Sequence, residues 1–485
     1  MPDIINNAII DDAVAEALQL DLSFLSGPGQ ARHVPFAFTA CPIPLSSVAT
    51  LETAAALLGR LTQVLASDAD LVQELHAPLA KGDPFFAELI SIHKELHCDN
   101  EVLPRIPLLL QRSDFMLDAK MGPQLVECNS IAAGMAPFGE QVHLLHQYLQ
   151  TMWPQEVGHY SACHGGHALP NPATSTMAQA IVVAAEQVRG EFSDGTPSFL
   201  MVIQESEDNI FDQRLLEREL QRRGIRTCRR TFRQLHDQLA TGPNQRLLLE
   251  GFGSIDVVYL RAGYQYQDYI AKDLDARRCC DALRAVRIFL EKHRVALNAT
   301  VSQQLATSKR MQQYLATDPN QILAHYGFTA SESNSLKGIF AEMIAVDNST
   351  SSRLRSEMTT GNWVLKNQGE GGGHCLFDMD ILTRLDALDQ GDFPAWVLMR
   401  RLHPTGRVMP TLMVREGRGQ QVDRLVSEIG IFTAHLEDRP LVNVQGHCAG
   451  YVGYLVRSKP PGISEGGVHS GFGMLDSLVT SVPDE

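Results

Sequence analysis

FLMVIQESEDNIFDQRLLERELQRRG, Phe199 to Gly224, is the stretch from which the fold reads most directly. An apolar run of strand length leads into a helical pattern that a turn residue, Gly224, stops. A basic strand-like piece, a short helix, LLLEG and IDVVYLR follow, up to Tyr264. Apolar runs alternating with helical pattern predict a small parallel α/β unit, and ligands of such units sit at the strand ends.

Outward on the C-terminal side, a helix is predicted from near Lys309. Beyond it come WVLKNQ, WVLMRRL, TLMVRE, LVSEIGIF and AGYVGYLVRSK, strand-like runs separated by Gly-rich or polar turns. They predict antiparallel sheet. On the N-terminal side, Val48, Leu51, Ala55, Leu58, Leu61 and Leu65 recur at helical spacing and predict a long amphipathic helix. HGGHALPNPATS, His164 to Ser175, reads as a loop before a helix near Met177 to Val188 and marks a candidate lobe boundary.

At 485 residues the chain exceeds what one core usually organises, so two or three lobes with a cleft between them are expected. Hydrophobic residues make up 44% and charged residues 20%, the balance of a folded globular protein. A formal charge of −15 argues against a general nucleic-acid grip, while leaving room for a local basic cleft. No window approaches the roughly eighteen apolar residues that cross a bilayer, and the opening MPDIINNAIIDD is acidic, with no basic stretch ahead of an apolar one. The nine cysteines are scattered without a CxxC pair and read as reduced cytosolic thiols, so a cytoplasmic location is expected. CHGGH, Cys163 to His167, reads as a polar loop, and no zinc is assigned.

Chemistry concentrates in a few places. In VLKNQGEGGGHC, Val364 to Cys375, a strand carrying Lys366 runs into Glu370 and three glycines, Gly371, Gly372 and Gly373. Glycine amides can fold over phosphate oxygens, although a plain flexible hairpin fits the same residues, and the Walker order is absent. VECNSIAAGM, Val126 to Met135, puts Glu127 and Asn129 on one side of a strand, either an exposed edge or, with Glu370, an oxygen-rich site for Mg²⁺. YLVRSKPPGISEGGVHSG, Tyr454 to Gly471, delivers Arg457 and Lys459 into another Gly-rich loop, as a solvated strand end or a phosphate-neutralising site under a lid. Glu428 within LVSEIGIF must face water, a ligand or a partner. Lys309 in ATSKRMQQYLA is a surface lysine or a phosphate contact.

RSDFML, VECNS, QESEDNIFDQR, VVYLRAGY, SKRMQQYL, VLKNQGEGGG, WVLMRRL, SEIGIF, VRSK and SEGGV, taken in this order from Arg112 to Asp476, resemble the successive motifs of the eukaryotic-type glutathione synthetases. The resemblance implies an ATP-grasp ligase, circularly permuted and homodimeric, that joins glycine to γ-glutamylcysteine. It implies an α/β fold with α+β elements: a helical and ATP-grasp part over 1–195, a small parallel α/β substrate domain over 196–300, and an ATP-grasp domain with an antiparallel Gly-rich lid over 301–485. By position, it makes Glu127, Asn129 and Glu370 the Mg²⁺ ligands. It places Glu127, Lys309, Lys366, Gly371, Gly372, Gly373, Met399, Glu428, Lys459 and Glu465 around ATP. Arg112, Ala132, Gly134, Glu207, Asn209, Gln213, Arg261, Tyr264, Arg457, Val468 and His469 fall around the other substrates, with Arg112, Lys309, Lys366 and Arg457 nearest the chemistry.

The sequence departs from the family where substrates would bind. Ala132 and Gly134 stand where members typically carry serines, and His469 and Ser470 where glycine-using members have two alanines. Asn367, Gly369, His374 and Cys375 replace the common Pro, Arg, Asn and Asn of the triple-glycine motif. These departures keep open a ligase of the same mechanism with another γ-glutamyl donor or amine. A non-catalytic nucleotide or peptide sensor would have no need for Glu127, Glu370, Lys309, Lys366 and Lys459 together.

Overall fold

The computed structural model describes residues 6–99, 102–161, 163, 166–274, 280–348, 361–369, 375–407, 411–463, 466–468 and 472–481. The expected alternation resolves into five parallel strands. They run in the order Arg226–Arg230, Ser198–Val202, Val257–Leu260, Ala296–Asn298 and then the start of Ile106–Asp118, where Ile106 pairs with Ala296. Side chains alternate across such strands, and here both faces are covered. Phe199, Met201, Val257 and Tyr259 pack into one core with the helices Asn7–Gln19, Ala136–Met152, Ala173–Phe192 and Ile210–Arg222. Leu200, Val202, Val258 and Leu260 pack into another with the helices Leu45–Ser67, Pro84–His97 and Asp281–Glu291. This double burial is why FLMVI is apolar throughout rather than every second residue.

The sequence reading differs from the structure in three places. LLLEG lies outside the parallel unit: Leu247–Leu249 is the centre of a three-stranded antiparallel sheet with Leu239–Thr241 and Gly253–Ser254. The later strands form two sheets rather than one. Trp363–Asn367 and Trp396–Arg400 join Met343–Ala345 and Cys375–Phe377 in a four-stranded antiparallel sheet, backed by helix Asp378–Ala387. Finally, the parallel unit and the remaining strands share one thirteen-stranded sheet. Ile106–Asp118 is the shared member: Val426–Leu436 lies antiparallel along one side, followed by Tyr451–Lys459, Met474–Asp476, Phe36–Ala37, Thr411–Arg415 and Arg418–Val422.

On its other side Ile106–Asp118 changes neighbour. Its first residues meet Ala296–Asn298, and its distal half pairs with Gly122–Asn129, which turns back on it. The segment after Asn129 crosses the carboxyl ends of the parallel strands, with the Ala132 N–H donating to the Leu260 carbonyl at 3.1 Å. Ala132 and Met135 adopt φ of +49° and +69° there, a left-handed backbone uncommon for residues with a Cβ and often found at binding sites. None of the helices among the described residues is long and apolar enough to cross a membrane.

Candidate active site

Strand register alone gathers several of the predicted side chains. Arg112 and Asp114 sit on one face of Ile106–Asp118, opposite Asn129 and Glu127 of the neighbouring strand. Glu428 of Val426–Leu436 stands opposite Arg457 of Tyr451–Lys459. Gly430, opposite Asp114, leaves space for this group: a Cβ there would meet Asp114 Oδ1 at 2.6 Å and Arg112 Cδ at 2.8 Å.

Asp114 is the hub of the group. Arg112 grips it in bidentate fashion, Nε to Oδ1 at 2.7 Å and Nη2 to Oδ2 at 2.8 Å. Arg457 Nη2 reaches Oδ2 at 3.2 Å, and the Asn129 amide donates to the same oxygen at 3.0 Å. Arg457 is also paired with Glu428. A carboxylate that is 1% exposed is stable only with such partners. Burial works against the charge of Arg457, but Glu428, Asp114 and Glu127 raise its pKa above the ordinary value.

Two further elements bring lysines. Lys309, on the first turn of helix Lys309–Thr317, places Nζ 3.5 Å from Glu127 Oε2 and donates to the Gly369 carbonyl at 2.8 Å. Lys366 of the four-stranded sheet donates to the Val126 carbonyl at 3.2 Å, tying that sheet to the main one. Burial alone would raise the Glu127 carboxyl, yet Lys309, Lys366, Arg457 and Arg112 together hold it down to about 2. Burial lowers Lys459, with Glu428 pulling the other way. Among the described residues, the cations Arg112, Lys309, Lys366, Arg457 and Lys459 therefore outnumber the carboxylates Asp114, Glu127 and Glu428, a local excess of positive charge in an acidic protein.

The residues present fit a magnesium ion in part. The Asn129 amide nitrogen is committed to Asp114, which leaves the amide oxygen, beside the Glu127 carboxylate, for a hard cation that also takes phosphate oxygens and water. Glu370 lies outside the described residues. Among the described residues, no group of three or more His, Cys, Asp or Glu could hold a metal.

A second pocket adjoins at the carboxyl ends of the parallel strands. Arg112 Nη1 donates to the Gly134 carbonyl at 3.2 Å, and the Arg261 guanidinium lies against the Cα of the same glycine. A Cβ at Gly134 would stand 2.1 Å from Arg261 Nη1, so a side chain here would have to push the arginine away. Asp212 anchors that arginine, 3.3 Å from Nη1, and accepts from the Met135 N–H at 3.0 Å. Burial raises the Asp212 carboxyl, against the pull of Arg261. Among the described residues, Asn209 Oδ1, Gln213 Nε2 and Arg261 Nε are buried here without a hydrogen-bond partner. Buried polar atoms are normally paired, so several together mark a ligand position. Burial raises Tyr264, whose hydroxyl accepts from Gln204 Nε2 at 3.1 Å, and the charge of Glu207 acts on Tyr264, Arg261 and Asp212. An open cavity of about 300 Å³ at the same strand ends is lined by Gln204, Glu205, Thr231, Gln265 and Asp268.

Arg112, Glu127, Asn129, Lys309, Lys366, Glu428, Arg457 and Lys459 thus converge, as do Ala132, Gly134, Glu207, Asn209, Gln213, Arg261 and Tyr264. Met399 is buried in a small apolar cluster with Ala341, Met343 and Val397, and Val468 is buried in the core that holds helix Ala136–Met152. Gly371, Gly372, Gly373, Glu465, His469 and Ser470 lie outside the described residues, like Glu370. The sequence reading gave no role to Asp114, Asp212 or Gln204. Asp114 was visible only as an acid next but one to an arginine in an apolar run.

The fold is thus α/β, with a cluster of cations beside a pocket in which single polar atoms of Asn209, Gln213 and Arg261 are unpaired. The chain belongs to the eukaryotic glutathione synthases, whose ATP-binding-domain family matches residues 3–480. It is 28% identical over 453 residues to the chloroplastic glutathione synthetase of Solanum lycopersicum, covering 92% of this chain and 77% of that one. Over 482 residues it is 27% identical to the glutathione synthetase of Homo sapiens, covering 96% and 94%. A glutathione synthetase-like effector of Globodera pallida shares the fold, with a TM-score of 0.71 at 16% identity over 98% of this chain and 96% of that one.

Proposed function

We propose that this protein is an ATP-dependent ligase that joins the carboxylate of γ-glutamylcysteine to the amine of glycine, giving glutathione. The observation that carries the reading is the cleft around Glu127, where Lys309, Lys366, Arg457 and Arg112 surround a carboxylate held down to about 2 beside a pocket of unpaired polar atoms. Glu207 and Asn209 Oδ1 suit an ammonium, and Gln213 Nε2 and Arg261 suit a carboxylate. A peptide that offers both groups at one end is linked through its side chain, as a γ-glutamyl peptide is.

A carboxylate is a poor acyl donor because oxide would have to leave. In the proposed reaction the cysteinyl carboxylate oxygen attacks the γ-phosphorus, ADP departs, and an acyl phosphate forms. The glycine amine then attacks the carbonyl carbon, loses a proton, and phosphate leaves. Lys309 and Lys366 offset charge on the moving phosphoryl group, and Arg457, fixed by Glu428 and Asp114, faces the carboxylate and the tetrahedral oxyanion. Magnesium, held by Glu127, Asn129 and Glu370, would supply charge neutralisation between phosphates. An ATP-grasp arrangement divided at 1–195, 196–300 and 301–485, with an antiparallel Gly-rich lid in the last part, a homodimer and a cytoplasmic location complete the proposal.

A second reading keeps the mechanism and changes the donor. It is favoured by Gly134, where the guanidinium of Arg261 occupies the space a side chain would fill. Phosphate release from ATP with Mg²⁺, over a panel of γ-glutamyl dipeptides and small amines with products identified by mass, separates the two. Turnover with γ-glutamylcysteine and glycine is expected. Turnover with another pair replaces the substrates, and nucleotide binding without turnover replaces the ligase by a sensor.

A further inference from the structure

His76, remote in sequence from the cleft, reaches it through one hydroxyl. The side chain is 0% exposed at the end of helix Ala69–His76. Its Nδ1 lies 2.7 Å from the Val72 carbonyl and its Nε2 2.7 Å from Ser308 Oγ. A carbonyl only accepts, so Nδ1 carries the hydrogen. In the neutral ring Nε2 is then an acceptor, and the Ser308 O–H must donate to it. Burial, with Arg310 nearby, lowers His76 to about 4, which keeps the ring neutral.

With its hydrogen directed at His76, Ser308 has only lone pairs left, and it spends one as the N-cap of helix Lys309–Thr317, accepting from the Met311 N–H at 3.1 Å. The next residue is Lys309, whose Nζ meets Glu127 and the Gly369 carbonyl. Arg310 adds a second tie between the same two helices, from Nε to the Leu75 carbonyl at 3.3 Å. The start of the lysine helix is therefore fixed from behind by helix Ala69–His76, and the tautomer of one histidine sets the direction of the Ser308–His76 bond behind the cap.

We propose that His76 is a positioning residue for nucleotide binding: by accepting from Ser308 it sets the first turn of the helix that aims Lys309 at the phosphates. The inference rests on the reading of Lys309 as a phosphate ligand. His76→Leu removes the acceptor and Ser308→Ala the hydroxyl, while His76→Gln restores an acceptor beside a donor. Affinity for ATP is read by calorimetry with the full chain and Mg²⁺, and steady-state KM and kcat are read for each substrate. His76→Leu and Ser308→Ala are each expected to weaken ATP about tenfold and to lower kcat through Lys309, with the donor KM within about twofold, and His76→Gln to recover most of both losses. The double variant should be no worse than Ser308→Ala, because both changes break one contact. Equal losses for every substrate, unchanged ATP affinity in both single variants, or no recovery with glutamine would overturn the proposal. Should His76→Leu not fold, Ser308→Ala decides alone. A wild-type protein that binds no ATP overturns the nucleotide reading and this inference together, whereas wild-type binding with unaffected variants overturns only the inference.

Discussion

Around Asp114 and Glu127 buried charge is compensated before any ligand arrives, whereas around Asn209, Gln213 and Arg261 buried polar atoms are left without partners. The difference follows from what each group costs when alone. An unpaired buried carboxylate is intolerable, so Arg112, Arg457 and Lys309 are held close to the acids they balance. An unpaired amide costs only a kcal/mol or so, and the second pocket can carry it, with Arg261 still anchored through Nη1 to Asp212. One side of the site is thus preorganised by its own charges, and the other waits for the molecule it binds.

The largest effect that would test this contrast is the removal of its hub. Asp114→Ala strands Arg112 without its counter-charge, leaves Arg457 with Glu428 alone, and is expected to cost about 3–5 kcal/mol in urea unfolding, with turnover lost. A cost near zero would break the comparison. Glu127→Gln should cut phosphate release about 10²–10³-fold while the protein stays folded at neutral pH. It also sharpens the electrostatic side of the contrast. The folded-state value of Glu127, about 2, lies below its ordinary 4.5, so its stabilisation is present above 4.5 and lost as pH falls from there towards 2. The difference in urea midpoint between wild type and Glu127→Gln should accordingly be constant above pH 5 and shrink through that window.

Smaller effects belong to the other pocket. Gln213→Leu and Asn209→Leu should each raise the donor KM about tenfold and leave the KM for ATP unchanged. For Asn209→Leu the thermal stability should equal or exceed that of the wild type, because a lone buried polar atom is removed, whereas Gln213→Leu also takes an acceptor from Arg229 Nη2 and should cost about 1 kcal/mol. A marked loss of stability would mean that these amides are structural and the pocket is not waiting. Gly134→Ala, which crowds the Arg261 guanidinium rather than backbone, should change the donor KM by about two- to fivefold.

Much of this arrangement was legible before the fold was known, and unevenly so. The helix Leu45–Ser67 and the strands Val426–Leu436 and Tyr451–Lys459 carry their pattern locally, in the spacing of Leu51, Leu58 and Leu65 or in runs such as IGIF. Glu127, Lys366 and Arg457 stood out because each is a charge at the edge of an apolar run or glycine turn, whereas Lys309, at a helix start, gained its role only from the family resemblance. Asp114 did not, since its meaning comes from Arg457, a residue far away in sequence, and no local spacing encodes that meeting. The joining of the parallel and antiparallel strands into one sheet was hidden for a related reason. Ile106–Asp118 is buried on both faces over most of its length, and only its pairing register reveals that it changes neighbour half-way.

That sheet also draws together distant parts of the chain. In it Phe36 pairs with Leu475, and in a separate two-stranded sheet Cys41 to Pro44 pair in parallel with Leu478 to Ser481. While the protein is being made, the strands near residue 40 leave the ribosome long before their neighbours exist. They must wait with open edges until almost all of the chain has followed. Parallel pairings at such separation form slowly and expose sticky edges meanwhile. These edges therefore cannot close before residues 474 to 481 have emerged from the ribosome.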